Sequence, residues 1–299
     1  MFDRILVPLD GSQAAEVALK VAAQIPDRRL QLFSIEPDRT DLSELCTGAR
    51  EREAYLERVA TALREQGRYV TTLVAFGNPA EQINAMANGA DLIVMSSHGR
   101  GAMGRALFGS VADSVMRHAP APTLIVRGEQ WKATALQRIV VPLDGSPLAE
   151  QALPLAVYLA KAMKISLHLV RAVDFDQVQA SVLAGLAAAE ACARQQAELA
   201  REAKAYLALQ SHRYQSPDYA VTSEVRIGDP VEELLAVIQV ADLTILATHA
   251  RGGMARWLMG SVAEEIVQRS AGPVLLMRAD MDDLPTGAGG SANRAGSGS

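Results

Sequence analysis

Short apolar runs alternate along this chain with longer segments in which apolar residues recur every three or four positions, and the alternation continues to about residue 279. The runs at residues 4–8, 30–35, 69–76, 91–96 and 123–127 have the length and apolar content of buried strands. Between them, residues 12–24, 41–66, 80–88 and 110–118 carry the helical spacing. Ser12 is placed to cap the first helix through its hydroxyl, and Pro79 suits a first helical position, where its missing N–H would have had no partner. In the long helix Glu44, Arg50, Glu51, Glu53 and Glu57 mark a solvated side. Five strands alternating with four helices predict an α/β fold, a parallel sheet covered by helices on both faces.

The same order then repeats. Strands are predicted at residues 138–142, 165–172, 219–227, 242–247 and 274–278, with helices at 147–163, 177–210, 231–240 and 261–270. Val-Pro-Leu-Asp-Gly-Ser occurs at Val7 and again at Val141, 134 residues on. HGRGAMGRALFGSVA at residues 98–112 returns at 249–263 as HARGGMARWLMGSVA, with ten of fifteen positions identical at an offset of 151. The second half has therefore gained 17 residues between these two motifs, mostly in its long alanine-rich helix, a packing surface or a partner-binding one. Domains are expected at 1–128 and 138–279, joined by a short linker at 129–137 and followed by a Gly/Ser-rich tail at 280–299 expected to be disordered.

Composition narrows the function. A formal net charge of −5 offers no general attraction for nucleic acid or an acidic membrane surface. No apolar run reaches the roughly 18 residues a membrane helix needs, and no signal-peptide pattern opens the chain, so a cytoplasmic protein is expected. Cys46 and Cys192 have neither a CxxC partner nor a His at ligand spacing, and read as buried or half-buried thiols of a reducing compartment.

The repeated residues outside the core pattern fall where strands end. Asp10 and Asp144 follow the first strand of each half; the glycine loops follow the fourth. In an open parallel sheet ligands bind beyond the carboxyl ends of the strands, at the point where strand order reverses. A glycine-rich loop opening into a helix aims free N–H groups and the positive end of the helix dipole at one point, where a phosphate fits. Asp10 and Asp144 are either turn aspartates bonding their own backbone or contacts to ribose or a phosphate-bound Mg²⁺. Arg100, Arg105, Arg251 and Arg256 are either solvated or phosphate contacts, His98 and His249 read as structural loop residues, and Met103, Leu107, Met254 and Leu258 as apolar anchors. Gly99-x-Gly101-x-x-Gly104 satisfies the dinucleotide fingerprint only literally, since it follows the fourth strand and no acid stands about 20 residues on; no Gly-Lys-Ser/Thr P-loop occurs. No nucleophile–base pair with an orienting third group is apparent, so efficient catalysis is not expected.

From Ser96 the first loop reads Ser-x-x-Gly-x9-Gly-Ser, ending at Gly99, Gly109 and Ser110. With the aspartate after the first strand, it resembles the universal stress protein family in tandem form, over residues 2–279, whose ATP-binding members carry Gly-x-x-Gly-x9-Gly-Ser/Thr there. The resemblance implies two Rossmann-like, HUP-type domains with strand order 3-2-1-4-5, paired through their fifth strands as a pseudo-dimer, and leaves a further homodimer open. It implies ATP or another adenine nucleotide, with Mg²⁺ on Asp10, in a stress-response regulator with at most slow hydrolysis. The implied contacts in the first half are Pro8, Leu9, Asp10, Ile35, Met95, Ser96, Gly99, Arg100, Gly101, Gly109, Ser110 and Val111. In the second half they are Asp144, Arg251, Gly252, Gly260, Ser261 and Val262. Ser96 replaces the first glycine of the pattern; in the second half Ala247 and Ala250 replace the first two, and if the position of Ala250 takes positive φ a Cβ there costs on the order of 1 kcal/mol or more and crowds the phosphate. Nucleotide is therefore expected mainly in the first half. A non-nucleotide interaction module of the same fold is the alternative.

Overall fold

The computed structural model describes residues 2–38, 41–97, 109–127, 131–174, 186–248 and 260–278. The first half runs β1 (Phe2–Pro8), α1 (Gln13–Ala22), β2 (Asp27–Glu36), α2 (Leu42–Glu65), β3 (Val70–Phe76), α3 (Pro79–Ala87), β4 (Leu92–Ser96), α4 (Ser110–His118) and β5 (Thr123–Val126). The second runs β6 (Arg138–Pro142), α5 (Pro147–Glu150), α6 (Ala152–Met163), β7 (Ser166–Val173), α7 (Leu186–Arg213), β8 (Val221–Ile227), α8 (Pro230–Val237), β9 (Asp242–Thr248), α9 (Ser261–Arg269) and β10 (Val274–Arg278). The expected helix over 147–163 is broken at Gln151. Pro154, with no N–H to reach the Glu150 carbonyl one turn back, accounts for the break.

All ten strands form one sheet, ordered β3-β2-β1-β4-β5-β10-β9-β6-β7-β8. Each half thus has the order 3-2-1-4-5, parallel throughout, and the halves meet where β5 and β10 pair antiparallel, with Leu275 opposite Leu124. Side chains alternate between the faces. Ile5, Val7, Leu30 and Leu32 pack under α1 and α2 in a core shared with Ile139, Val141, Leu167 and Leu169 of the second half. Leu6, Phe33, Ile93 and Met95 face the other way, into a core shared with Val140, Val170, Leu246 and Leu276. The connector contributes as well: Trp131 and Leu136 are buried in the first of these cores, and the Leu136 N–H donates to Gln24 Oε1 at 2.8 Å. Phe2 meets Tyr158 edge to face, ring centroids 5.8 Å apart, across the two halves.

Corresponding residues lock the amino ends of the strands. Asp91 accepts the N–H groups of Asp3 and Arg4; in the second half Asp242 is paired with Arg138 at 2.6 Å. His168 of β7 is buried between them and the edge, with Nδ1 2.8 Å from Thr222 Oγ1 and Nε2 3.3 Å from Glu224. Burial first, and then the Arg138 charge, hold its pKa below the ordinary value of 6.5, against the opposing pull of Glu224 and Asp242. Cys46 lies exposed on α2, which corrects the expected buried thiol; the Cys192 side chain and residues 280–299 fall outside the description. Among the described residues no helix is long and apolar enough to cross a membrane.

Two outcomes follow from this packing. Leu275→Ala, in a fully buried position shared by both halves, should cost about 2–5 kcal/mol, and chemical denaturation should show one transition moving as a unit; separate transitions for the halves would contradict the shared core. His168 stays neutral in the fold while the unfolded chain takes up a proton, so stability should fall as pH drops below about 6.5. His168→Gln, which places the residue of the matching first-half position, Gln31, should flatten that part of the profile in melting curves taken between neutral and mildly acidic pH.

Candidate nucleotide site at the strand-order reversals

Each first strand ends in a turn built from its own side chains. The Leu9 N–H donates to the Phe33 carbonyl at 2.7 Å, and the Leu9 carbonyl accepts from Ser34 Oγ at 2.7 Å. Gly11 then takes φ 80°, the left-handed region that glycine enters at no steric cost. This lets Asp10 Oδ1 accept the Ser12 N–H at 2.9 Å, while Ser12 Oγ caps α1 by accepting from Ala15 N–H at 3.2 Å. The second half repeats it: Asp144 Oδ1 accepts from Ser146 N–H at 2.8 Å, and Ser146 Oγ accepts from Ala149 N–H at 3.2 Å. One carboxylate oxygen of each aspartate is thus a turn acceptor, as the plainer reading of these residues holds.

The fourth strands end beside these turns, because β1 pairs with β4 on one side and β2 on the other. Ser96 and Ser97 are buried at the end of β4. The Ser97 carbonyl accepts the Gly109 N–H at 2.9 Å, which returns the chain after the loop to the strand it left and starts α4 there. Side-chain oxygens of Ser12, Asp41, Asn78, Ser146 and Asp229 cap α1, α2, α3, α5 and α8. The helices that follow the glycine loops have no side-chain cap; Gly109 and Gly260 stand there with φ of −68° and −62°. Those angles suit any residue, so conformation does not require glycine at either place. A Cβ at Gly260 would meet nothing within 4 Å. What the glycine leaves is room, directly at a helix end whose first N–H groups and dipole favour an anion.

In the second half the turn, the strand ends and this helix end enclose one cavity of about 400 Å³. Asp144, Gly260, Ser261 and Val262 line it together, so the expected second-half residues that are described converge. Its inner wall is apolar, with Val170, Ala172, Leu234 and Leu246. By strand register Phe33 and Ile35 stand in the first half where Val170 and Ala172 stand in the second, so the first half carries bulkier side chains at these places. Pro8, Leu9 and Asp10 end β1 and enter its turn, Ile35 is near the end of β2, Met95 and Ser96 end β4, and Gly109, Ser110 and Val111 open α4. Ser96 pairs with Val126, and Ala247 with Met277, as ordinary parallel-strand residues. The first glycine position of the family pattern therefore carries a side chain without backbone strain in either half. Gly99, Arg100, Gly101, Ala250, Arg251 and Gly252 lie outside the described residues.

Two supports of the turns escaped the motif reading. Tyr206 Oη donates to Glu150 Oε1 at 2.9 Å, and Gln210 Nε2 donates to the same oxygen at 3.0 Å. Tyr55 Oη donates to Glu16 at 3.4 Å. Burial and the adjoining glutamate raise both phenols, Tyr55 to about 12, so both remain donors near neutrality. The repeat offsets of 134 and 151 carry Glu16 to Glu150 and Tyr55 to Tyr206, the signal that could have found the pair. A guanidinium also lies behind each turn, from opposite elements. In the first half Arg52 of α2 donates to Ser34 Oγ at 3.0 Å and pairs with buried Glu36; in the second, Arg171 of β7 sits over the Tyr206 ring at 5.2 Å.

Comparison with known proteins accords with this architecture. The model of the universal stress protein family matches residues 1–127 and again 135–278. A universal stress protein of Mycobacterium tuberculosis (strain ATCC 25618 / H37Rv) is 30% identical over 211 residues, 70% of this chain and 69% of that one. Another, from strain CDC 1551 / Oshkosh, is 27% identical over 312 residues, covering 93% and 96%. A universal stress protein structure from Archaeoglobus fulgidus DSM 4304 matches with a TM-score of 0.67 at 18% identity, over 92% of this chain and 98% of that one, a likeness of fold. With two matches to one family model, each over one half of a continuous sheet, the chain belongs to the universal stress protein family in its tandem two-domain form.

Proposed function

We propose that this protein binds ATP or a related adenine nucleotide at the strand-order reversals and acts as a stress-response regulator, with hydrolysis slow at most. One observation, made in the second half, carries the reading: an uncapped helix end with open space at its glycine, and an acidic turn, face the same apolar-walled cavity of about 400 Å³. A flat base suits the wall, phosphates suit the helix end, and the aspartate suits ribose hydroxyls. Among the described residues no group of three or more His, Cys, Asp or Glu could hold a metal ion by itself. A Mg²⁺ would therefore arrive with the phosphates, and Asp10 could add a carboxylate to its shell. The first half is the stronger receptor, because it keeps Gly99 in the loop where the second half has Ala250.

Gly109→Asp and Gly260→Asp test this by adding a carboxylate where phosphate would sit. Aspartate is a favoured N-cap, so each variant should fold with an unchanged or slightly raised melting temperature. Isothermal titration should show nucleotide affinity falling at least about tenfold, 1.4 kcal/mol, at the altered site, with the larger loss of total binding from Gly109→Asp. Equal losses from the two variants would overturn the preference for the first half. Absence of bound adenine nucleotide after denaturation, together with no heat of binding at millimolar nucleotide, would overturn the nucleotide reading itself.

A further inference from the structure

The ten-stranded sheet ends at β3 on one side and β8 on the other. These edges occupy equivalent places in the two halves, yet their sequences treat exposure in opposite ways. β8 reads Val-Thr-Ser-Glu-Val-Arg-Ile, with Glu224 at its centre and Arg226 beside it. Charges on an edge discourage another strand from adding to it. β3 reads Val-Thr-Thr-Leu-Val-Ala-Phe and has no charged residue. Leu73 is 38% exposed and Phe76 47%, and Tyr69, just before the strand, is 62% exposed.

The backbone on this edge can be assigned group by group. The Tyr69 carbonyl accepts from Leu30 N–H and the Gly77 N–H donates to Glu36, so odd-numbered residues bond inward to β2. The N–H and C=O groups of Thr72 and Val74 consequently point away from the sheet. Farther back, the Val70 carbonyl is taken by Arg64 Nε and Nη2 at 3.1 and 3.0 Å. The open stretch is thus centred on Leu73.

We propose that β3 pairs with β3 of a second copy of this chain, antiparallel and two-fold about Leu73. In that register Thr72 of each copy faces Val74 of the other, and the pair exchanges both of its outward bonds, four in all. Leu73 meets Leu73 as the close, non-hydrogen-bonded pair, where Cα atoms lie about 4.5 Å apart and side chains cover each other. No charge is buried, since the nearby Glu57–Arg64 ion pair, at 2.7 Å, is neutral as a unit. The same operation on β8 would set Glu224 against Glu224, like charges directly opposed. A β3–β8 contact would put Glu224 against Leu73 and, being heterologous, would build rings or open filaments rather than a two-fold pair. The chain therefore dimerises through one edge and guards the other. Two seven-residue strands bury less than a standard interface of about 1,200–2,000 Å², so the dimer is weak and depends on concentration.

Cysteine trapping reads such a dimer directly. In the full chain with Cys46→Ser and Cys192→Ser, Leu73→Cys places two thiols at the two-fold axis within disulfide reach. Mild oxidation at high protein concentration should convert most of that variant to a disulfide-linked dimer, while Glu224→Cys in the same background cross-links several-fold more slowly. Adding Val74→Pro removes only an outward N–H, a position where edge strands tolerate proline, and should reduce trapping several-fold. Leu73→Glu should abolish the two-fold rise in mass with concentration in sedimentation velocity. Equal cross-linking at positions 73 and 224, trapping unaffected by Val74→Pro, or a wild-type mass that stays at one chain up to millimolar concentration would overturn the proposal.

Discussion

The antiparallel contact of β5 with β10 is the constraint on which the rest of the molecule depends. Each half alone would end in a strand of buried apolar residues, with Leu124 and Ile125 on one and Leu275 and Leu276 on the other, all now within 1% of complete burial. Left exposed, each such side chain forfeits on the order of 1.5–3 kcal/mol, and each bare edge invites pairing with a stranger. Joining the edges answers both problems at once. It also makes the two cores continuous, so that the connector residues Trp131 and Leu136 have an apolar layer to enter.

On that base the turns after the first strands are fixed by local chemistry. Gly11 and Gly145 hold positive φ so that Asp10 and Asp144 can bond two residues ahead. Gly109 and Gly260 do something different: their backbone is ordinary, and their contribution is the missing side chain at an unoccupied cap position. The halves have since diverged behind the turns. The guanidinium comes from a helix and is neutralised by Glu36 in the first half, whereas it comes from a strand and rests on an aromatic ring in the second.

Much of the architecture was legible in the sequence because it is written in local period. Strand and helix runs alternate with the spacing that parallel sheets require, and the internal repeat reports the duplication. The break at Gln151 was equally open to reading, in Pro154. Other features depend on contacts between distant positions. Cys46 is exposed because this stretch of α2 faces water, which an isolated cysteine does not announce. The ordinary strand pairing of Ser96 and Ala247, at the first glycine position of the family pattern, is likewise set by their neighbours across the sheet. The Tyr–Glu buttresses join elements some 39 and 56 residues apart and emerge only when the two halves are laid over each other.

A junction that is antiparallel in an otherwise parallel sheet has a geometric result. The carboxyl ends of the strands in one half point opposite to those in the other, while Ile35, Met95 and Val111 of the first half and Leu246 and Val262 of the second belong to one core on the same face of the sheet. The two crevices therefore open at opposite rims, with the width of the joined core between them. The path from one rim to the other runs through the cores that both halves share, with β5 and β10 as their seam.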